Sequence, residues 1–334
     1  MIEPFPIHPS VADKLSPQYI DFYNQHYLYA TPVHLQPFIP PRLEDTPNPG
    51  SSASLPVAGI CHFAIPRRES SGPPVKIRCF VPPGRWPANG WPVTLYYHGG
   101  GWVFGDINSE NNICSNLCVR AQSVVITTEY RLAPELPFPA ALDDCWETIL
   151  WILSAGAQVF NLDLAKVAIG GASAGANLAA VMTQKLVGRP DVDKRIDIKI
   201  QLLSAPVTDN TATVTSNPTY KSYEHTASLS AAKMLWYRSH YLPDPSLESH
   251  PGASPLLWPG DFARLPPAVV LVGEVDILRH EGEEYARKLR AAGVQTRLEV
   301  MKGMPHPFLA MDAVLDEGKR AVTILCDSLA QALR

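Results

Sequence analysis

No apolar run of about 18 residues occurs in this chain, so no stretch of it reads as a membrane-spanning helix. It also has no basic cluster interleaved with aromatics. With a net charge of −4, neither nucleic acid nor an anionic membrane is implied as a partner. The six cysteines (Cys61, Cys79, Cys114, Cys118, Cys145 and Cys326) form no Cys-x-x-Cys pair and no Cys/His metal spacing. They read as buried small hydrophobes, and Cys114 and Cys118 share one face if that stretch is helical. The opening residues, Met1-Ile2-Glu3-Pro4-Phe5-Pro6, carry no charged region followed by an apolar stretch, so no signal peptide is expected. The only Asn-x-Thr sequence, Asn217-Pro218-Thr219, is disqualified as a glycosylation site by its proline. These absences point to a reducing, cytoplasmic location. Charged residues are few at 18 %, against 46 % hydrophobic, a balance that supports a sizeable core and excludes a disordered chain.

Proline is abundant at 33 residues and crowds the N-terminal region, which should therefore hold loops and short helices. The 334 residues suit one large α/β domain with an inserted or appended cap, or two small domains. A short helix is expected over residues 17–28, and Asn48-Pro49-Gly50-Ser51-Ser52-Ala53-Ser54 is loop chemistry. Strands are expected at residues 75–80, 92–97, 123–128, 166–170, 196–203, 268–272 and 297–301. Helices are expected at 140–153, 173–186, 280–292 and 311–332, the last with Val322, Leu325 and Leu329 on one face. Such alternation predicts the α/β class, a mostly parallel sheet with helices on both faces. Residues 205–255 interrupt it with Tyr220, Tyr223, Leu235, Trp236, Tyr237 and Tyr241. They are read as a cap insertion, joined by an N-terminal cap segment at 1–55. The core then comprises residues 56–204 and 256–334.

The strongest local motif is Gly171-Ala172-Ser173-Ala174-Gly175, a G-x-S-x-G between an expected strand and an expected helix. Its glycines permit a tight turn that lifts the Ser173 hydroxyl above the sheet. A second motif, His98-Gly99-Gly100-Gly101-Trp102, follows a strand directly. Its backbone N–H groups at Gly99, Gly100 and Gly101, with that of Ala174, are candidate oxyanion donors. His98 precedes the nucleophile and is read as holding the glycine loop rather than moving protons. A serine hydroxyl needs a base. Of the five histidines after Ser173, His225, His240 and His250 fall in the expected cap and His280 opens a helix. His306 lies in a loop after the last strand, where a base is expected. Asp276, just past the penultimate strand, is the candidate acid, with Glu274 as runner-up. Glu281, Glu283 and Glu284 read as a solvated helix face.

Three further runs carry a resemblance: Tyr130-Arg131-Leu132-Ala133-Pro134-Glu135, Pro137-Phe138-Pro139-Ala140-Ala141-Leu142-Asp143-Asp144, and the block from Asp276 to Glu284. With the His98–Trp102 motif they resemble the hormone-sensitive-lipase-like family of esterases and lipases over roughly residues 75–330. That resemblance implies an α/β-hydrolase fold with a helical cap, cleavage of short-to-medium acyl esters without a cofactor, and no metal. On matching positions it implies Ser173, Asp276 and His306 as the triad, and Gly99 to Gly101 plus Ala174 as the oxyanion hole. The chain departs from the family's usual residues at Ala172, Ala176 and Pro307.

A serine carboxylesterase acting on acyl or aryl esters of small molecules is therefore the expectation. A lactonase or a deacetylase of a secondary metabolite would use the same chemistry. A non-catalytic small-molecule receptor on a hydrolase scaffold is the rival from another class, and the presence of His306 argues against it. The expected partner is a small-molecule ester, with a homodimer left open.

Overall fold

The computed structural model describes residues 3–38 and 49–334. Eight strands form one sheet: β1 (Gly59–Ile65), β2 (Val75–Val81), β3 (Trp91–Tyr97), β4 (Val124–Glu129), β5 (Leu162–Ala172), β6 (Ile198–Ser204), β7 (Ala268–Gly273) and β8 (Thr296–Met301). Their order across the sheet is β1-β2-β4-β3-β5-β6-β7-β8. β1 pairs antiparallel with β2 and β2 antiparallel with β4, while every later pairing is parallel. The central strands β3, β4 and β7 are buried almost throughout, as parallel strands covered on both faces must be.

The helices are α1 (Pro9–Ala12), α2 (Pro17–His26), α3 (Asn111–Ala121), α4 (Ala140–Trp151), α5 (Ala157–Phe160), α6 (Ala174–Val187), α7 (Pro190–Asp193), α8 (Pro218–Ser222), α9 (Ala231–Tyr241), α10 (Arg279–Ala291) and α11 (Asp316–Ala332). Two hydrophobic clusters lie on opposite faces of the sheet. One gathers α4, α6 and α10, and the other gathers α2, α3 and α11. None of the described helices is long and apolar enough to cross a membrane.

Several boundaries differ from expectation for identifiable reasons. The expected helix at 140–153 is α4 followed by a π-helical turn over Ile152–Gly156, which a 3.6-residue periodicity cannot distinguish from α-helix. The expected helix at 311–332 starts only at Asp316, after a 3-10 turn over Phe308–Met311. β1 was not expected as a strand. It is an edge strand with one partner, and only Ile65 of its seven residues is buried. α3 has no side-chain cap at its start and ends on Gln122 in the left-handed region where glycine is usual, so its stop and start signals are missing. Cys114 and Cys118 are both buried on it. All six cysteines are free, and burial pushes the Cys118 and Cys326 thiols up to about 12.

Glu281 corrects the expected solvated helix face. It is 1 % exposed, and its Oε1 accepts the backbone N–H groups of Thr208 (2.7 Å) and Asp209 (3.2 Å). α10 thereby holds the start of the excursion that leaves the sheet after β6. The helical pattern was right but its phase was misread, because a buried glutamate looks the same in sequence as an exposed one.

Two of the family-like runs also act structurally. Asp144 on α4 is buried and takes Arg67 Nη2 at 2.6 Å and Arg131 Nε at 3.0 Å. Tyr130 donates its hydroxyl to the His98 carbonyl at 2.8 Å and stacks on the His98 ring, tying this segment to the glycine loop.

Candidate active site

Ser173 sits between β5 and α6 with φ 54° and ψ −119°, a conformation that non-glycine residues seldom adopt. Serine at a helix start normally caps the helix with its own oxygen. Here it makes no such cap, and its Oγ pairs with His306 instead. The flanking glycines are required by the neighbouring strand. A Cβ on Gly171 would stand 2.5 Å from the Tyr97 carbonyl oxygen and from the Gly175 backbone, and one on Gly175 would overlap the Tyr97 carbonyl. Strand β3 and the start of α6 are therefore in backbone contact. The Ser173 N–H donates to the Ser204 carbonyl at 2.8 Å, which fixes the turn against β6 as well.

His306 lies in the loop after β8, with its side chain 12 % exposed. Its Nε2 is 2.7 Å from Ser173 Oγ, and its Nδ1 is 2.8 Å from Asp276 Oδ2. A carboxylate can only accept, so Nδ1 carries the proton and Nε2 is free to accept from the hydroxyl. Asp276 is fully buried just past β7, and its Oδ1 accepts the Leu278 N–H at 3.0 Å. Three residues far apart in sequence thus form one continuous hydrogen-bonded line.

Glu274, the alternative acid, points elsewhere. Its Oε1 pairs with Lys302 Nζ at 2.9 Å and its Oε2 accepts the Gly303 N–H at 2.8 Å. The hydrogen bond from Lys302 holds its carboxyl below the usual range. It braces the stem of the loop that carries His306. The N-terminal region braces the same loop from another side, since the Ser16 N–H donates to the Gly303 carbonyl at 2.9 Å.

The glycine loop curls over the same point. Gly100 and Gly101 have φ of 118° and 61°, and a Cβ on either would overlap the Phe104 carbonyl or the Tyr237 ring. Their N–H groups, and that of Ala174, make no hydrogen bond to protein among the described residues. Gly99 differs, because its N–H donates to Glu110 Oε1 at 3.0 Å. That narrows the four candidate donors to three. Glu110 itself was missed in sequence, being one acid in a polar stretch with no motif around it. His98 lies beneath the loop, its Nδ1 2.7 Å from the Gly99 carbonyl.

Ser173, His306 and the glycine loop open into one cavity of about 1150 Å³. Its other walls come from the N-terminal segment, including Phe5, Tyr23 and Tyr27, and from residues 225–237. Of the aromatics Tyr220, Tyr223, Trp236, Tyr237 and Tyr241, only Tyr237 lines it among the described residues. Tyr241 instead stacks on Trp102 with ring centroids 4.2 Å apart, Trp236 packs on Phe104 and His240, and Tyr220 is fully buried. Of the N-terminal segment 1–55, residues 1, 2 and 39–48 lie outside the described residues.

Comparison with known proteins shows the same fold and family. A family model described as alpha/beta hydrolase fold matches residues 94–310. A Schizosaccharomyces pombe protein of the AB hydrolase superfamily is 41 % identical over 319 residues, covering 94 % of this chain and 93 % of the relative. An ethyl acetate hydrolase of Pseudomonas putida is 32 % identical over 263 residues, covering 78 % of this chain and 80 % of its own. Among solved structures, a thermostable carboxylesterase cloned from a metagenomic library superimposes with a TM-score of 0.76 at 34 % identity. That match covers 85 % of this chain and 92 % of the other.

Proposed function

The chain belongs to the hormone-sensitive-lipase-like family of α/β hydrolases, and on that premise we propose that it is a serine carboxylesterase hydrolysing short-to-medium acyl or aryl esters of small molecules. The observation that carries the reading is the single imidazole of His306, hydrogen-bonded to Ser173 Oγ on one side and Asp276 on the other.

In the proposed mechanism His306 Nε2 takes the Ser173 proton as Oγ attacks the ester carbonyl carbon. The carbonyl oxygen becomes an oxyanion, which the N–H groups of Gly100, Gly101 and Ala174 receive. Among the described residues these donors have no protein acceptor to give up, so they need no rearrangement as charge develops. The C–O bond then breaks, and the imidazolium gives its proton to the leaving alcohol. A water, deprotonated by His306, attacks the acyl-enzyme. The acid leaves and the proton returns to Ser173 Oγ. One ester and one water thus become one acid and one alcohol. Asp276 keeps the Nδ1 tautomer and stabilises the imidazolium.

The aromatic walls of the cavity, from Phe5, Tyr23, Tyr27, Phe104 and Tyr237, support an apolar or aryl group on the substrate. We assign the walls contributed by the N-terminal segment and by residues 225–237 to a cap. The test is Ser173→Ala assayed on p-nitrophenyl acetate, with a fluorophosphonate probe on both proteins. The variant should lose on the order of a thousandfold or more in turnover and all labelling. Undiminished turnover would overturn the assignment.

A further inference from the structure

We propose that the cavity above Ser173 receives an ester carrying a carboxylate remote from the scissile bond, and that Lys233 on α9 binds that carboxylate. The inference rests on the esterase reading and goes on to name the class of its substrate.

Lys233 is the one lysine or arginine lining the cavity among the described residues. Its Nζ donates to the Ser228 carbonyl at 2.8 Å. An ammonium has three N–H donors, and this one meets no carboxylate within ion-pairing distance among the described residues. The contrast with Arg67 and Arg131, which share the buried Asp144, is direct. A partly buried ammonium without a counter-ion is costly, and burial pushes Lys233 down to about 8.

His34 lines the same cavity on the 3-10 turn Val33–Leu35. Its Nδ1 is buried with no hydrogen-bond partner among the described residues. Burial, and then the charge on Lys233, hold its pKa below the usual value. The two carboxylates on the cavity wall do not answer this charge. Glu3 is exposed, and Glu110 holds the Gly99 N–H. An anion brought by the substrate would accept from the Lys233 ammonium and lower the cost of burying it. A neutral ester would leave that charge unanswered.

The test compares ester pairs that differ in one negative charge. Monomethyl against dimethyl adipate puts the carboxylate on the acyl side, and para-acetoxybenzoate against phenyl acetate puts it on the alcohol side. In at least one pair, kcat/KM should favour the anion, and Lys233→Met should cut that preference about tenfold while Lys233→Arg keeps it. The pair that responds identifies the side. The preference should also fall as pH rises through about 8, where the ammonium loses its proton. His34, which lines the same cavity, is already neutral there, and ionisations shared by both esters cancel in the ratio.

Equal kcat/KM within both pairs, or a preference that survives Lys233→Met, would overturn the subsite while leaving the esterase reading intact. If none of the four esters is turned over, the esterase reading fails instead. The subsite is then judged by calorimetric binding of the two anionic esters to Ser173→Ala. Binding lost on adding Lys233→Met supports it, and binding unchanged or absent overturns it.

Discussion

Gly175 and Tyr97 meet backbone to backbone. A Cβ on residue 175 would overlap the Tyr97 carbonyl oxygen and stand 2.5 Å from the His98 carbonyl oxygen. The helix behind Ser173 thereby presses on the strand that leads into the glycine loop, and the two motifs are held in one place.

Gly175→Ala should consequently cost about 3 kcal/mol or more, because neither backbone can yield without moving the sheet. Thermal unfolding should show Tm lower by several degrees, with activity falling in parallel. Gly188→Ala, where a Cβ would meet only the Lys185 carbonyl at 3.4 Å, should leave Tm nearly unchanged and serves as the comparison.

Asp276→Asn should keep the fold and lower kcat on the order of 10³–10⁴-fold. The amide would favour the other imidazole tautomer, so Nε2 would present a proton to Ser173 Oγ. Steady-state kinetics with a far-ultraviolet dichroism spectrum separates this outcome from unfolding.

Glu274 should behave differently from Asp276. Glu274→Gln keeps an acceptor for the Gly303 N–H and should retain most activity. Glu274→Ala removes the brace from the His306 loop and should cost about 1 kcal/mol of stability together with a drop in kcat. The hydrogen bond from Lys302 depresses the Glu274 pKa in the folded state. Its contribution is therefore present above the unfolded value of about 4.3 and is lost as pH falls through the folded pKa. Urea unfolding of wild type and Glu274→Gln should converge only as pH falls through the depressed folded pKa, below the unfolded value of about 4.3.

Glu281 has the opposite sign. Burial raises its pKa well above the usual value, against the smaller effect of the two backbone donors. The folded state then holds a proton that the unfolded state releases above about 4.3, so this residue's contribution weakens as pH rises from there toward the folded pKa. Glu281→Gln should gain on wild type in unfolding free energy between about pH 4 and neutrality. Glu281→Ala should lose about 2 kcal/mol near pH 4, a loss that shrinks as pH rises, because the Thr208 and Asp209 N–H groups are left without an acceptor while the wild-type contribution itself weakens.

Much of this was legible in the chain. The inner strands that pair in parallel were visible as apolar runs, since both of their faces are covered. The order Ser173, Asp276, His306 was visible because each follows a strand end. β1 and α3 were not, the first because an edge strand needs only one partner and the second because its ends lack capping residues. Glu110 and Lys233 carry no motif, so only their neighbours distinguish them from surface charges.

The sequence by itself determined the α/β alternation, the two glycine motifs and the candidate residues, because periodicity and backbone freedom are local properties. Only the tertiary structure sets Asp276 against His306 and turns Glu274, two residues away, to different partners. It also decided which glycine N–H groups remain open, by setting Glu110 against Gly99. It left Lys233 in the cavity without a carboxylate among the described residues. Each of these depends on distances between segments remote in sequence, and such distances exist only once the core has packed.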